Sequence, residues 1–203
     1  VTPPWGAVFC HHDAHINVDE CGAPELFTGG AKLVGLDGPG GKVDPDALRA
    51  VLAQGWKGVV HHVQPACLSI TQATEWGQVY QADEIAALSA ICREHGLALH
   101  MDGARFSNAL VSGNASAADL TWRAGVDILS LGGTKNGAFA AEAVVCFDLE
   151  LGGRLGFIRK RGGHLFSKMR FLSAQLEGLF GTDAWRANAT NANAMAARLA
   201  QGL

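Results

Sequence analysis

No stretch of this sequence approaches the ~18 apolar residues that a membrane-spanning helix requires, and no charged-then-apolar leader marks a signal peptide. The expectation is a cytoplasmic protein without a membrane partner. Excess basic charge is also lacking. Sixteen Lys and Arg stand against nineteen Asp and Glu, for a net charge of −3, which argues against a nucleic-acid partner. Cysteine is sparse: Cys10, Cys21, Cys67, Cys92 and Cys146 are odd in number and widely scattered. Without a C-x-x-C pair they suggest neither a disulfide framework nor a zinc module, and buried thiols in a reducing compartment are the plain reading. Internal repeats and low-complexity linkers are missing too, so residues 1–203 read as one domain. The start at Val1 with Pro3-Pro4, and an Ala- and Asn-rich stop just after a helical pattern, read as cut ends of a larger domain.

What is present is ordinary for a folded protein, with 48% hydrophobic and 17% charged residues. Apolar runs alternate with helical patterns. Gly58-Val59-Val60 leading into His61-His62, and Leu68 to Thr71, read as short strands. Asp83 to His95 has helical periodicity, with Ile85, Leu88, Ile91 and Cys92 on one face and Gly96 as its stop. Leu97 to Met101 is an apolar strand ending at Asp102. Ser116 to Arg123 reads as a short helix closed by Gly125. The strands Val126 to Leu131 and Ala143 to Phe147 follow, then helices over Leu165 to Leu179 and Ala184 to Leu199. Strands separated by helices predict an α/β fold with a mainly parallel sheet, and ligands gather beyond the carboxyl ends of such strands. Asp102 and Lys135 both fall at such an end.

Two segments carry chemistry. In His100-Met101-Asp102-Gly103-Ala104-Arg105, a carboxylate ends a buried strand, which is costly unless it is paired, and Arg105 is a candidate anion binder. A structural Asp102–Arg105 pair, or Asp102 capping the next helix, is the plain alternative. In Ser130-Leu131-Gly132-Gly133-Thr134-Lys135-Asn136-Gly137, a lysine sits in a glycine-flanked turn after an apolar strand. A nucleotide loop would need glycine directly before the lysine; here Thr134 stands there, so that reading fails. Lys135 follows Asp102 by 33 residues. Pyridoxal phosphate (PLP) chemistry needs both an amine for the cofactor aldehyde and an acid opposite the pyridine nitrogen. A nearby carboxylate keeps that nitrogen protonated.

These two motifs, together with Ala14-His15-Ile16, Asp19-Glu20-Cys21-Gly22-Ala23-Pro24-Glu25 and Arg159-Lys160-Arg161-Gly162-Gly163, resemble the threonine aldolase and β-eliminating lyase family of fold-type-I PLP enzymes. The Gly-Gly-Thr-Lys-Asn-Gly form is similar to the bacterial low-specificity L-threonine aldolase branch. The resemblance implies a three-layer, aspartate aminotransferase-type PLP-binding large domain. It implies Lys135 as the Schiff-base lysine, Asp102 as the pyridinium partner and Arg105 as the ligand of the substrate carboxylate. His15 matches the histidine stacked on the cofactor ring and is a candidate for proton transfer beside His61, with Asp19 orienting its neighbourhood. His61 matches a base near the substrate hydroxyl, and Arg170 an arginine that reaches the cofactor phosphate across a subunit interface. A homodimer or homotetramer with active sites between subunits follows from the same resemblance.

The implied reaction is retro-aldol cleavage of L-threonine, L-allo-threonine or a related β-hydroxy-α-amino acid to glycine and an aldehyde. β-Elimination on another amino acid is the alternative, as is an incomplete, inactive relative. The family also carries a preceding segment, with a Gly-Thr phosphate-binding turn and a substrate-contacting serine, and a small C-terminal domain with a second carboxylate-binding arginine. Neither is within these residues. The group His11, His12, Asp13 and His15, or the pair His61-His62, could alternatively bind a metal. Adjacent strand histidines point to opposite faces, however, and no metal site is expected.

Overall fold

In the computed structural model, which describes residues 1–202, one six-stranded sheet organises the chain. The strands are β1 (Gly6–His11), β2 (Lys32–Leu36), β3 (Gln64–Thr71), β4 (Ala98–Gly103), β5 (Ile128–Gly132) and β6 (Glu142–Cys146), in spatial order β2-β1-β3-β4-β5-β6. All neighbours pair in parallel except β5 and β6, which are antiparallel. The helices are α1 (His15–Val18), α2 (Ala23–Thr28), α3 (Pro45–Leu52), α4 (Ala82–His95), α5 (Phe106–Ser112), α6 (Leu149–Arg161), α7 (Arg170–Phe180) and α8 (Ala184–Gln201). The chain visits β2 on one side of β1 and then crosses to β3 on the other. This reversal opens a crevice at the carboxyl ends of the strands.

The core lies where α3 and α4 cover one face of the sheet. Leu48, Ile85, Leu88 and Ile91 pack there against Phe9, Leu68, Ile70, Leu99 and Met101. Period-two alternation decides what remains for function. On β4, Leu99 and Met101 are fully buried, while Ala98, His100 and Asp102 are only half-buried on the opposite face. Helix α4 starts with a capping box, in which the Gln81 N–H donates to Glu84 at 2.7 Å. It ends at Gly96, whose φ of 75° is left-handed. Leu99→Ala should cost about 2–5 kcal/mol of stability, as expected for a fully buried aliphatic side chain; chemical denaturation checks this.

Three local expectations are corrected. Gly58 to His62 is a turn rather than a strand. Gly58 has φ +79°, and the Gln64 amide donates to the carbonyls of Trp56, Val59 and His62, satisfying the turn in place of a neighbouring strand. Ser116 to Arg123 forms turns with a single 3-10 turn at Trp122–Ala124. Here Ser116 and Asp119 bond each other's backbone and side chains, and such short polar groups compete with helix. The helix expected from Leu165 begins only at Arg170, after Lys168 takes φ +67°. The Arg159-Lys160-Arg161 run closes α6, placing three cations at the negative end of its dipole.

The five cysteines are unpaired. Burial pushes the Cys10 thiol up to about 11 and the Cys67 and Cys92 thiols up to about 12. Since the thiolate is the reactive form, exposed Cys21 should be modified first by a thiol reagent in the native protein. All five should react in denaturant. Mass mapping of a time course reads the order. None of the helices among the described residues is long and apolar enough to cross a membrane.

Candidate active site

The site forms where β4 and β5 end side by side. Asp102 and Ser130 are register partners across the two strands, and two glycines let the strand ends close up. A Cβ on Gly132 would meet the Ala104 backbone at 2.7 Å, and one on Gly103 would meet the Ser130 carbonyl at 2.8 Å. Any side chain at either place would push the Asp102 and Lys135 segments apart. Beyond β5 the chain makes a single 3-10 turn, Thr134–Asn136, ended by Gly137 at φ 112°, and this turn presents Lys135.

Both sides of that turn are tied down. Glu142 on β6 accepts the N–H groups of Gly133 and Thr134, each at 3.2 Å. Buried Asn136 donates its amide to the Trp185 carbonyl at 3.1 Å, and Asn188 on α8 donates to the Asn136 carbonyl at 2.9 Å. Lys135 itself is exposed and forms no ion pair among the described residues.

Asp102 accepts the Ala104 N–H on Oδ1 at 2.9 Å. That bond orients the carboxylate and leaves Oδ2 free. The alternative Asp102–Arg105 ion pair is not formed, and Asp102 caps the turn before α5 rather than the helix. His15 opens α1. Its Nδ1 lies 2.9 Å from Glu20 Oε1, and its backbone N–H donates to Glu75 at 2.8 Å.

These elements enclose a cleft of about 460 Å³, within the roughly 300–1,000 Å³ of small-molecule sites. His15, Ile16, Glu20, His100, Asp102, Ser130, Lys135 and Glu142 line it. Lys135, Asp102 and His15 are therefore brought together. Arg105 is exposed one residue beyond Ala104 of the cleft lining, with no carboxylate partner among the described residues.

Three expected site residues lie elsewhere in this chain. His61 is in the turn before β3, at the amino-terminal edge of the sheet, whereas Asp102 ends β4 at the carboxyl edge. Arg170 opens α7, exposed and stacked on Phe171 at 4.8 Å. Asp19 is exposed and bonds neither ring nitrogen of His15; the neighbouring Glu20, just past the end of α1, takes that task at Nδ1. The histidines near the amino terminus disperse to separate partners: His11 to the Gly38 carbonyl, His12 to Asp37 and His15 to Glu20. No group of three metal-ligating side chains forms among the described residues. Glu20, Ser130 and Glu142 were not singled out in the sequence. Ser130, a lone hydroxyl in an apolar strand two residues before the glycine loop, carried the one usable signal.

The family model described as beta-eliminating lyase matches residues 1–203, and the chain belongs to that family. Within it, the chain is 47% identical over 189 residues to a low-specificity L-threonine aldolase of a Pseudomonas species, covering 93% of this chain and 54% of that protein. It is 45% identical over 197 residues to the low-specificity L-threonine aldolase of Pseudomonas aeruginosa, covering 97% and 56%. The threonine aldolase structure from Leishmania major superposes with a TM-score of 0.90 at 33% identity, over 98% of this chain and 57% of that one. The chain thus spans about half the length of the curated relatives it matches, and its α/β fold with a mainly parallel sheet is that of the matching part of the Leishmania threonine aldolase.

Proposed function

We propose that this chain is the large-domain part of a PLP-dependent carbon–carbon lyase that cleaves L-threonine, L-allo-threonine or a related β-hydroxy-α-amino acid to glycine and an aldehyde. The observation that carries the reading is the convergence of Lys135 and Asp102, from separate strand ends, in one cleft. Likeness to the aldolases supports the choice of a β-hydroxy substrate.

The donor set fits the cofactor: a free amine, a carboxylate with one unengaged oxygen, and an imidazole at the same cleft. Lys135 would hold the cofactor aldehyde, Asp102 the pyridine nitrogen and His15 the ring face. When bound, the cofactor supplies an electron sink for charge left at the substrate α-carbon. Arg105 binds the substrate carboxylate, a task suited to a planar two-toothed donor. With Nδ1 of His15 engaged by Glu20, Nε2 is the nitrogen available to take the β-hydroxyl proton. Glu20 then stabilises the resulting cation.

Arg170, outside this cleft, is assigned to the cofactor phosphate of a second copy in a homodimer or homotetramer. Exposed Leu149, Phe157, Phe166 and Phe171 provide apolar surface for that assembly. Unpaired cysteines suit a reducing cytoplasm.

The test is titration of the purified protein with PLP, followed by borohydride reduction and peptide mapping. Glycine and aldehyde are then assayed from threonine, and elimination products from a β-chloro amino acid. Label on Lys135 and cleavage of threonine are expected. No label on Lys135 overturns the cofactor reading; label with elimination alone overturns the aldolase reading.

A further inference from the structure

One polar residue of the aspartate motif has no task in the reading above. His100 precedes Asp102 by two residues on β4, so both side chains emerge on the same face, and both line the cleft. The ring bridges two other strands. Its Nδ1 is 2.8 Å from the Oγ of Ser69 on β3, and its Nε2 is 3.0 Å from the Oγ of Ser130 on β5. Ser69 is the register partner of His100, whereas Ser130 is the register partner of Asp102. The bridge therefore runs diagonally, from the row beneath the carboxylate up to the carboxylate's own row.

Burial pushes the His100 ring toward its neutral form, against the pull of the nearby Asp102 charge. A neutral imidazole has one N–H and one lone-pair nitrogen. With a hydroxyl at each, one serine must donate to the ring and the other must accept from it. Ser69 is almost fully buried and has no other side-chain hydrogen bond among the described residues, so the ring is its partner. Ser130 in turn has one hydrogen-bonding role fixed by the ring and keeps the other for the cleft. An uncharged ring at this point leaves the charge of Asp102 undivided, whereas an imidazolium would compete for it.

We propose that His100, held between Ser69 and Ser130, is a positioning residue that sets the Ser130 hydroxyl and holds Asp102 ready for a cationic nitrogen heterocycle. This rests on the PLP reading, with the pyridine ring as that heterocycle. His100 itself touches neither substrate nor reacting atoms in this role; it acts through its two neighbours.

Three measurements on the purified protein test it, using the unaltered protein, His100→Phe and Ser130→Ala. Nitrogen-15 NMR of the histidine rings, without cofactor, is expected to show His100 as a single neutral tautomer at neutral pH. Absorbance titration with PLP is expected to give a dissociation constant raised about tenfold in His100→Phe, the size of effect that follows loss of a buried hydrogen-bonded partner. Ser130→Ala should move it in the same direction by less, and in both variants the visible band of the bound cofactor should be displaced. A merely structural role would lower the melting temperature and leave the affinity and the band unchanged; that result overturns the proposal, as does a cationic His100 at neutral pH. If His100→Phe does not fold, Ser130→Ala decides alone. Failure of the unaltered protein to take up PLP overturns the cofactor reading as well, whereas normal uptake with silent variants overturns only the role of His100.

Discussion

Lys135→Ala is expected to reduce threonine cleavage by about 10³-fold or more, the range seen when a covalent catalyst is removed, while the fold stays intact. The fold should survive because the side chain is exposed and pairs with nothing among the described residues. What shapes the turn is its backbone. Glu142 holds the amides before the lysine, and Asn188 holds the carbonyl after it. Lys135→Arg is the sharper control. It keeps a positive charge at the cleft, but a guanidinium is not a usable amine for an aldehyde. Both variants should lose the borohydride-fixed label and the activity together, with melting temperatures close to that of the unaltered protein. Substantial cleavage by Lys135→Arg would show that charge alone suffices and would sink the covalent role.

The second large effect is expected at Asp102. Asp102→Asn is nearly isosteric, and its side-chain oxygen can still accept the Ala104 N–H that Asp102 accepts at 2.9 Å. The local turn should therefore persist. The charge is what is lost. A carboxylate next to a ring nitrogen favours its protonated form, and an amide does not, so charge developing at the substrate α-carbon is less well accommodated. The expected fall in kcat is about 10²–10³-fold, typical for removing one electrostatic partner of a transition state. Cofactor should still be trapped on Lys135. Steady-state assays with threonine and aldehyde detection read the rate, and borohydride labelling confirms occupancy. Unchanged kcat in a labelled Asp102→Asn protein would rule out the assigned pairing.

Asp102 and Lys135 were legible in the sequence because each follows an apolar run and has a glycine within two residues, the local signature of a strand giving way to a turn. Helix α4 was legible for the same reason: its periodic face and the Gly96 stop are short-range features. Helix α6 was hidden, since Gly152, Gly153 and Gly156 depress helix propensity, and none of its side chains is buried to create a periodic face. The turn at His61 read as a strand because Val59 and Val60 favour extended backbone. What overrode them was Gln64, whose amide reaches back to three carbonyls once β3 is in place.

By itself, the sequence determined the alternation of strand and helix, the mainly parallel sheet and the two chemical residues at its carboxyl edge. The strand and helix segments themselves depend on neighbours within a turn or two along the chain, and their alternation implies the parallel sheet. Tertiary structure alone decided which side chains share the cleft. It put Glu20 rather than Asp19 on His15, left His61 and Arg170 out of this chain's cleft, and joined His100 to Ser69 and Ser130. The Ser69–His100–Ser130 bridge turns on strand register, and the approach of Asp102 and Lys135 on where two glycines allow strand ends to meet. The physical reason is that a one-residue slip of register would turn Ser69, His100 or Ser130 to the opposite face of the sheet, and register is settled only when distant strands pair.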